Sequence, residues 1–352
     1  MSLFRTAIDK LKAYEPGEQP LPGTKTIKLN TNENPYPPSP WVVKEIGNID
    51  AEALRRYPDP MSTVARQEAS RLYDVPLDFV LAANGSDEIL AYIARACLEP
   101  GRSLVYPVPT YLLYPVLGGM QDCPLVEVPF DDDFNLPVEK LIEASGAVTV
   151  VCSPNNPDAS SALNSDLETL AENLKGLLVI DEAYCDFADH NAMGLVKKYN
   201  NVIVLRTLSK GYSLAGLRLG FGIADPRVLQ GLLKVKDSYN VSAMAIRIGA
   251  AALRDQAYLK QTTAKVLKTR GELAGSLARI GFKVWPSQSN FIFVRPPDGN
   301  AEVLFQYLRR RGILVRHFDK PGIKDKLRIS IGTPKEIEVL LGEIRQFLER
   351  RC

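Results

Sequence analysis

Between residues 79 and 224 the chain repeats one pattern: an apolar run rich in β-branched residues, a turn marked by Gly, Pro or Asn, then a helical stretch. The runs are "FVLAANG", "SLVYPVP", "AVTVVCSP", "LLVIDEAY", "VIVLRTLSK" and "LRLGFGIA", with "SDEILAYIARACL" and "TYLLYPVLGGM" as helical partners. Runs that are apolar at nearly every position suit strands covered on both faces, the condition of a mostly parallel sheet sandwiched by helices. The fold class is therefore α/β, and the loops at the carboxyl ends of those strands are expected to carry the site.

After residue 225 the pattern becomes largely helical to about residue 275. It then gives strands in "KVWPS", "NFIFVRP", "ILVRHF" and "LRISIG" and a terminal helix from Pro334, as expected of a smaller α+β unit. The opening is rich in Pro and Asn ("EPGEQPLPG", "TNENPYPPSP") and reads as an extended arm. The 352 residues suffice for about two domains. The expected division is an arm over 1–40 that contributes to the small unit and the site, a large unit over 41–240 and a small unit over 241–352.

Lys and Arg number 43 against 41 Asp and Glu, a net charge of +2. That balance gives no global basic field for nucleic acid or a membrane surface, so anion recognition must be local. The five cysteines are scattered without CxxC spacing, which argues against a disulfide scaffold or zinc knuckle. No run approaches a membrane span, and the first residues lack the apolar stretch of a signal peptide. The expectation is a cytoplasmic protein. The acidic run at 131–133 and the basic run at 309–311 read as solvated faces.

The strand ends carry the chemistry. "AANGSDEIL" sets Gly85 and Ser86 at a strand-to-helix junction, where free N–H groups favour an anion such as phosphate. Taken alone, Ser86 reads as an N-cap. In "YPVPTYLLY", Tyr111 can lie against a planar ligand or simply pack a rim. "SPNNPDAS" sets Asn155 and Asn156 in a stiff turn that aims one amide inward, or is a turn and no more. In "LLVIDEAYCDF" four apolar residues lead into Asp181, a carboxylate whose burial calls for a positive partner. An arginine could be that partner, and so could the protonated ring nitrogen of pyridoxal phosphate, whose electron-sink chemistry depends on that charge. "VLRTLSKGYSLAGLRLGFG" then supplies Lys210 as an amine able to form a Schiff base with an aldehyde. Ser209 and Arg218 are placed to bind the phosphate.

Competing motifs fail. Gly220 and Gly222 would need a third glycine at 225 for a dinucleotide fingerprint, where Asp225 stands. No phosphate loop or GxSxG turn occurs, and with only His190 and His317 schemes built on several histidines are disfavoured.

Together "LNTNENPYPPSP", "RRYPDP", "NGSDEIL", "PTYLLYP", "SPNNP", "VIDEAY", "RTLSKGYSLAGLRLGF", "SNFIFVR", "GILVRHF" and "LRISIGTPKE" resemble the fold-type I pyridoxal phosphate enzymes. More narrowly they resemble the histidinol-phosphate aminotransferases, over nearly the whole chain. The resemblance implies that Lys210 carries the cofactor and shuttles the proton and that Asp181 pairs with its ring nitrogen. It further implies that Tyr184 and Asn156 hydrogen-bond its ring oxygen, that Tyr111 stacks on it, and that Gly85, Ser86, Ser209 and Arg218 hold its phosphate. Tyr57 would reach the cofactor phosphate of a neighbouring subunit, which implies a homodimer. Arg316 and Arg328 match positions that bind the substrate's anionic end. Each sits among apolar residues, where an unpaired guanidinium is costly. Tyr14 and Asn32 resemble residues that close over the substrate. The chain departs from the usual Thr-Gly after "PNNP", having Asp158 and Ala159; Asp158 is expected to cap the following helix.

The implied reaction is amino transfer between histidinol phosphate and 2-oxoglutarate. Rivals on the same cofactor are a threonine-phosphate decarboxylase and an aromatic amino-acid aminotransferase. A non-catalytic, aminotransferase-like sensor is a remote alternative; such proteins carry an added helix-turn-helix domain, whereas this sequence opens almost directly on the arm.

Overall fold

The computed structural model describes residues 2–20 and 23–350. Its main sheet has seven strands in the order Val80–Ala83, Gly220–Ala224, Val202–Thr207, Leu177–Asp181, Val148–Cys152, Leu104–Val108 and Leu125–Pro129. Gly220–Ala224 runs antiparallel to both its neighbours, and the remaining pairings are parallel. This is the mostly parallel sheet expected from the runs.

Alternation along the strands explains why the runs are apolar throughout. Leu178, Ile180, Val202 and Val204 enter one core, while Val179, Ile203 and Leu205 enter the core on the opposite face. A strand with helices on both sides has no face to spare for polar residues. The edge strand Leu125–Pro129 escaped the sequence reading because only Val128 of its five residues is buried, so it lacks that signature.

The second sheet has four antiparallel strands in the order Arg316–His317, Leu327–Ser330, Phe291–Arg295 and Lys283–Val284. Its core joins apolar residues of Gln256–Arg279, Ala301–Arg310 and Pro334–Glu349. The last helix opens on Pro334 behind a capping box of Thr333 and Glu336, which satisfies two of the free N–H groups of its first turn.

Ile27–Lys28 of the arm pairs in parallel with Ile313–Leu314, and Leu29 joins the small unit's core. One segment departs from the expected division. The helix Ala243–Arg254, expected in the small unit, buries Ala245, Ile246, Ile248 and Leu253 in a core of the large sheet. That core therefore extends past residue 240. Among the described residues no helix is long and apolar enough to cross a membrane.

Candidate active site

A cavity of about 250 Å³ opens at the carboxyl ends of the central strands, where the arm and the small sheet meet the large one. Lys210 stands on the turn after Val202–Thr207. The Thr207 hydroxyl accepts from the Ser209 amide at 3.2 Å and donates to the Ser209 hydroxyl at 2.9 Å. Leu208 bonds back to the returning chain at Leu219. The turn is thereby tied at both ends and presents the lysine to the cavity. Nζ of Lys210 donates to the Thr31 carbonyl at 3.1 Å and lies 5.6 Å from the centre of the Tyr184 ring. Burial, with Arg328 nearby, pushes the ammonium down to about 8, so a sizeable fraction of the amine is free to act as a nucleophile near neutral pH.

Asp181 ends its strand and is 2% exposed. Its Oδ2 accepts from the Tyr114 hydroxyl at 2.8 Å and its Oδ1 from the Ala183 amide at 3.2 Å. Burial raises its carboxyl to about 6. The arginine that a buried carboxylate was expected to claim exists, but it serves the next residue. Arg206 donates to Glu182 at 2.9 Å and to Asp186 at 3.2 Å. Among the described residues no salt bridge reaches Asp181.

At one end of the cavity the helix Ser86–Cys97 begins. Gly85 is its N-cap at φ +82°, so Ser86 is the first residue of the helix rather than its cap, and Ser86 lines the cavity. A Cβ on Gly85 would lie 2.9 Å from Nη2 of Arg218, so glycine is needed both for the conformation and for the approach of the guanidinium. Arg218 contacts the Ser209 hydroxyl at 3.5 Å and Asp87 at 3.2 Å. Tyr111, on the cavity wall, meets Tyr114 and Tyr14 edge-on at 5.6 and 5.9 Å.

At the other end Arg328 is buried. Nη1 donates to Oδ1 of Asn156 at 2.5 Å and Nη2 to the Asn30 carbonyl at 2.5 Å, while among the described residues Nε has no hydrogen-bond partner. Burial, reinforced by Arg316 against the opposing pull of Tyr184, pushes the guanidinium down to about 10. Arg316 is the register partner of Arg328 in the strand pair; it donates to the Glu15 carbonyl at 3.4 Å and lies over the Phe318 ring, 5.4 Å from its centre. Two guanidinium groups thus line one cavity, an arrangement that suits an anion. Asn32 is buried, fixed to the Ser330 hydroxyl at 2.9 Å and to the Tyr184 hydroxyl at 3.1 Å. It is part of the wall on the side of the small sheet.

Asp158 does not cap the following helix. Asn164–Asn173 starts behind Leu163 with no side-chain cap, and the Asp158 carboxylate instead binds the Asn155 amide and, at 2.8 Å, the Ser160 N–H. Asn155 in turn accepts from Thr110 at 2.7 Å, so the carboxylate ties two strand ends together. Ala159 adopts φ +68°, the left-handed region that glycine occupies at lower cost.

Twelve residues read from the sequence thus line one cavity: Tyr14, Asn32, Ser86, Tyr111, Asn156, Asp181, Tyr184, Ser209, Lys210, Arg218, Arg316 and Arg328. Gly85 backs it, and Tyr57 does not belong to it. Tyr57 is 82% exposed and stacks on Tyr239 at 4.6 Å. The sequence reading missed Tyr114 and the Thr31 carbonyl; Tyr114 had a faint signal, the second tyrosine of "YLLY", one helical turn from the first.

The donor set fits pyridoxal phosphate. A buried carboxylate with no cationic partner suits a protonated ring nitrogen, and a lysine of lowered pKa suits an aldehyde. A helix N-terminus with Ser209 and Arg218 beside it suits a phosphate, and Tyr111 offers an aromatic wall.

Residues 24–344 match the family model described as "Aminotransferase class I and II". The chain is 51% identical over 345 residues to histidinol-phosphate aminotransferase 1 of Trichormus variabilis, covering 98% of this chain and 99% of the relative. It is 52% identical over 348 residues to histidinol-phosphate aminotransferase 1 of a Nostoc species, covering 99% of each. Among solved structures it is similar to the histidinol-phosphate aminotransferase of Sinorhizobium meliloti in complex with pyridoxal-5'-phosphate, with a TM-score of 0.90 and 26% identity over 99% of each chain. Covered end to end by such relatives, and carrying a cavity built for the same chemistry, the chain belongs to the class I and II aminotransferases and, within them, to the histidinol-phosphate aminotransferase family.

Proposed function

We propose that the protein is a cytoplasmic, pyridoxal-phosphate-dependent transaminase that interconverts histidinol phosphate plus 2-oxoglutarate and imidazole-acetol phosphate plus glutamate. The observation that carries the reading is that Lys210, Asp181 and the pair Arg316 and Arg328 all open on one cavity. The full-length relatives named for that activity support it.

Pyridoxal phosphate, when bound, supplies an aldehyde and an electron sink. Asp181 would hold the ring nitrogen protonated, and Tyr184 with Asn156 would hold the ring oxygen. Ser86, Ser209, Arg218 and the amides behind Gly85 would hold the phosphate, with Tyr111 against the ring face. Lys210 Nζ is the base that takes the α proton of the amino donor and returns it on the other side of the transfer, and a pKa near 8 suits both directions. Arg316 and Arg328 serve both half-reactions, since the glutamate side-chain carboxylate and the substrate phosphate are each anions that a pair of guanidinium groups can clamp. Tyr14 and Asn32, which line the same cavity, would close over the substrate, as the resemblance implies.

We also propose a homodimer. Trp41, Val43, Ile46, Leu54 and Met244 are exposed apolar side chains on helices that pack against one another, a surface that a monomer rarely leaves open. Tyr57 projects from the same region and, as the resemblance implies, would complete the partner's phosphate site.

The deciding experiment incubates purified protein with histidinol phosphate and 2-oxoglutarate and measures glutamate. No glutamate, with carbon dioxide released from threonine phosphate instead, overturns the aminotransferase reading. Borohydride reduction should trap the cofactor on the wild type and not on Lys210→Ala; an unchanged adduct on the variant would identify a different lysine.

A further inference from the structure

One buried titratable group at the site has no part in the chemistry above. Tyr114 lies on the helix Leu113–Met120, is 1% exposed, and is wedged edge-on between Tyr106 and Tyr111 at centroid distances of 6.4 and 5.6 Å. Its hydroxyl points at the one strand end that matters, 2.8 Å from Oδ2 of Asp181.

We propose that Tyr114 is a positioning residue that fixes the Asp181 carboxylate and keeps it charged for a cationic partner; the inference rests on the reading of Asp181 given under Proposed function. With the Ala183 amide on Oδ1 at 3.2 Å, each oxygen is held by one donor, which sets the plane of the carboxylate and leaves a lone pair on each oxygen for a further donor. The aromatic contacts on both sides hold the phenol, so the donor is placed before any ligand arrives. Burial pushes the Tyr114 hydroxyl well above its ordinary value, and it therefore stays a donor throughout the working range.

The electrostatic role follows from what surrounds Asp181. Cys152 and Tyr184 adjoin it, Asp87 and Glu182 add negative charge, Tyr111 stands on the cavity wall and Lys210 opens on the same space. Burial and the two carboxylates favour a neutral Asp181, and the Tyr114 hydrogen bond opposes them by favouring the charged form. Without the phenol, Asp181 takes up a proton at higher pH and ceases to attract a cationic ring nitrogen.

The test titrates pyridoxal phosphate into the cofactor-free full-length protein across the weakly acidic to weakly basic range. Wild type, Tyr114→Phe, Asp181→Asn and the double variant are compared, with binding followed by absorbance. Tyr114→Phe keeps the ring in its packing, and a thermal melt checks folding. The expected result is affinity weakened about tenfold or more and a low-pH midpoint of binding about one unit higher. In the Asp181→Asn background, Tyr114→Phe should add no further loss. An unmoved midpoint, or an equal loss in both backgrounds, overturns the proposal, because packing alone would then account for the tyrosine. If Asp181→Asn itself binds as wild type does, the role assigned to Asp181 fails, and the inference with it.

Discussion

Asp181 and Glu182 are consecutive buried carboxylates at the end of one strand, yet they face different worlds. Glu182 and Asp186 share Arg206, itself nearly buried, and Glu182 also accepts from the Ala192 amide at 2.5 Å. Asp181, turned toward the cavity, has a phenol and one amide and no cation. On the Glu182 side the chain supplies a cation of its own. The Asp181 side is left short of positive charge, and the same side holds the unpartnered Nε of Arg328 and the left-handed Ala159. Unfavourable terms gathered on one side of a strand end mark the place where a ligand, rather than the protein, completes the balance.

The sharpest way to break this contrast is to neutralise each side in turn. Asp181→Asn should fold as well as wild type or better and lose activity by roughly a hundred- to a thousandfold, measured as kcat with saturating cofactor. Arg206→Met should do the reverse in kind. By leaving Glu182 and Asp186 buried without their cation it should cost about 3–5 kcal/mol of stability, read from denaturant unfolding. If Asp181→Asn unfolds the protein while Arg206→Met only slows it, the division between the two sides is wrong.

A pH series sharpens the same point. The Asp181 carboxyl is raised from 3.8 to about 6 in the folded chain, so between those values the native state holds a proton that the unfolded state has lost. Stability of the cofactor-free protein should therefore fall as pH rises through that window, by roughly 3 kcal/mol from this group, and not recover above it. Asp158 is raised to about 6 as well, so the measurement is the difference between wild type and Asp181→Asn, in which the Asp158 contribution cancels. A cationic partner for Asp181 should reverse the trend when pyridoxal phosphate is added. The smallest effect is expected at Ala159→Gly, which relieves the left-handed backbone for a gain of about 0.5–1 kcal/mol in thermal unfolding while leaving Arg206 and its carboxylates untouched.

What could be read from the sequence follows the same line. Strands apolar on both faces announce themselves, and so do the polar residues that interrupt them at their ends; Lys210, Asp181 and Asn156 were legible for that reason. The edge strand Leu125–Pro129, with one buried residue, had no such contrast. From the sequence, the partner of Asp181 is a choice between an arginine and a ring nitrogen. That the arginine serves Glu182 instead is a matter of which way successive side chains point, which the letters "DE" do not carry. Tyr114 was missed because its task appears only when a helix from one loop is laid over the end of a strand 60-odd residues away, at a separation of 67. Asp158 was misread because a short polar side chain can cap a helix or close its own turn, and both are local hydrogen bonds of similar worth.

The pairing of Ile27–Lys28 with Ile313–Leu314 bears on how the enzyme comes into being on the ribosome. The wall that offers Thr31 to Lys210 is synthesised before the lysine turn and well before its own anchors. Its anchors, the Ser330 hydroxyl for Asn32 and the Arg328 side chain for Asn30, are each 298 residues away. Contacts of such separation form late. The sheet and the lysine turn precede Arg328 and Ser330 in the order of synthesis, so the pocket gains its far wall only once the strand Leu327–Ser330 has been made, and a chain that stops short of that strand lacks the anchors of Asn30 and Asn32.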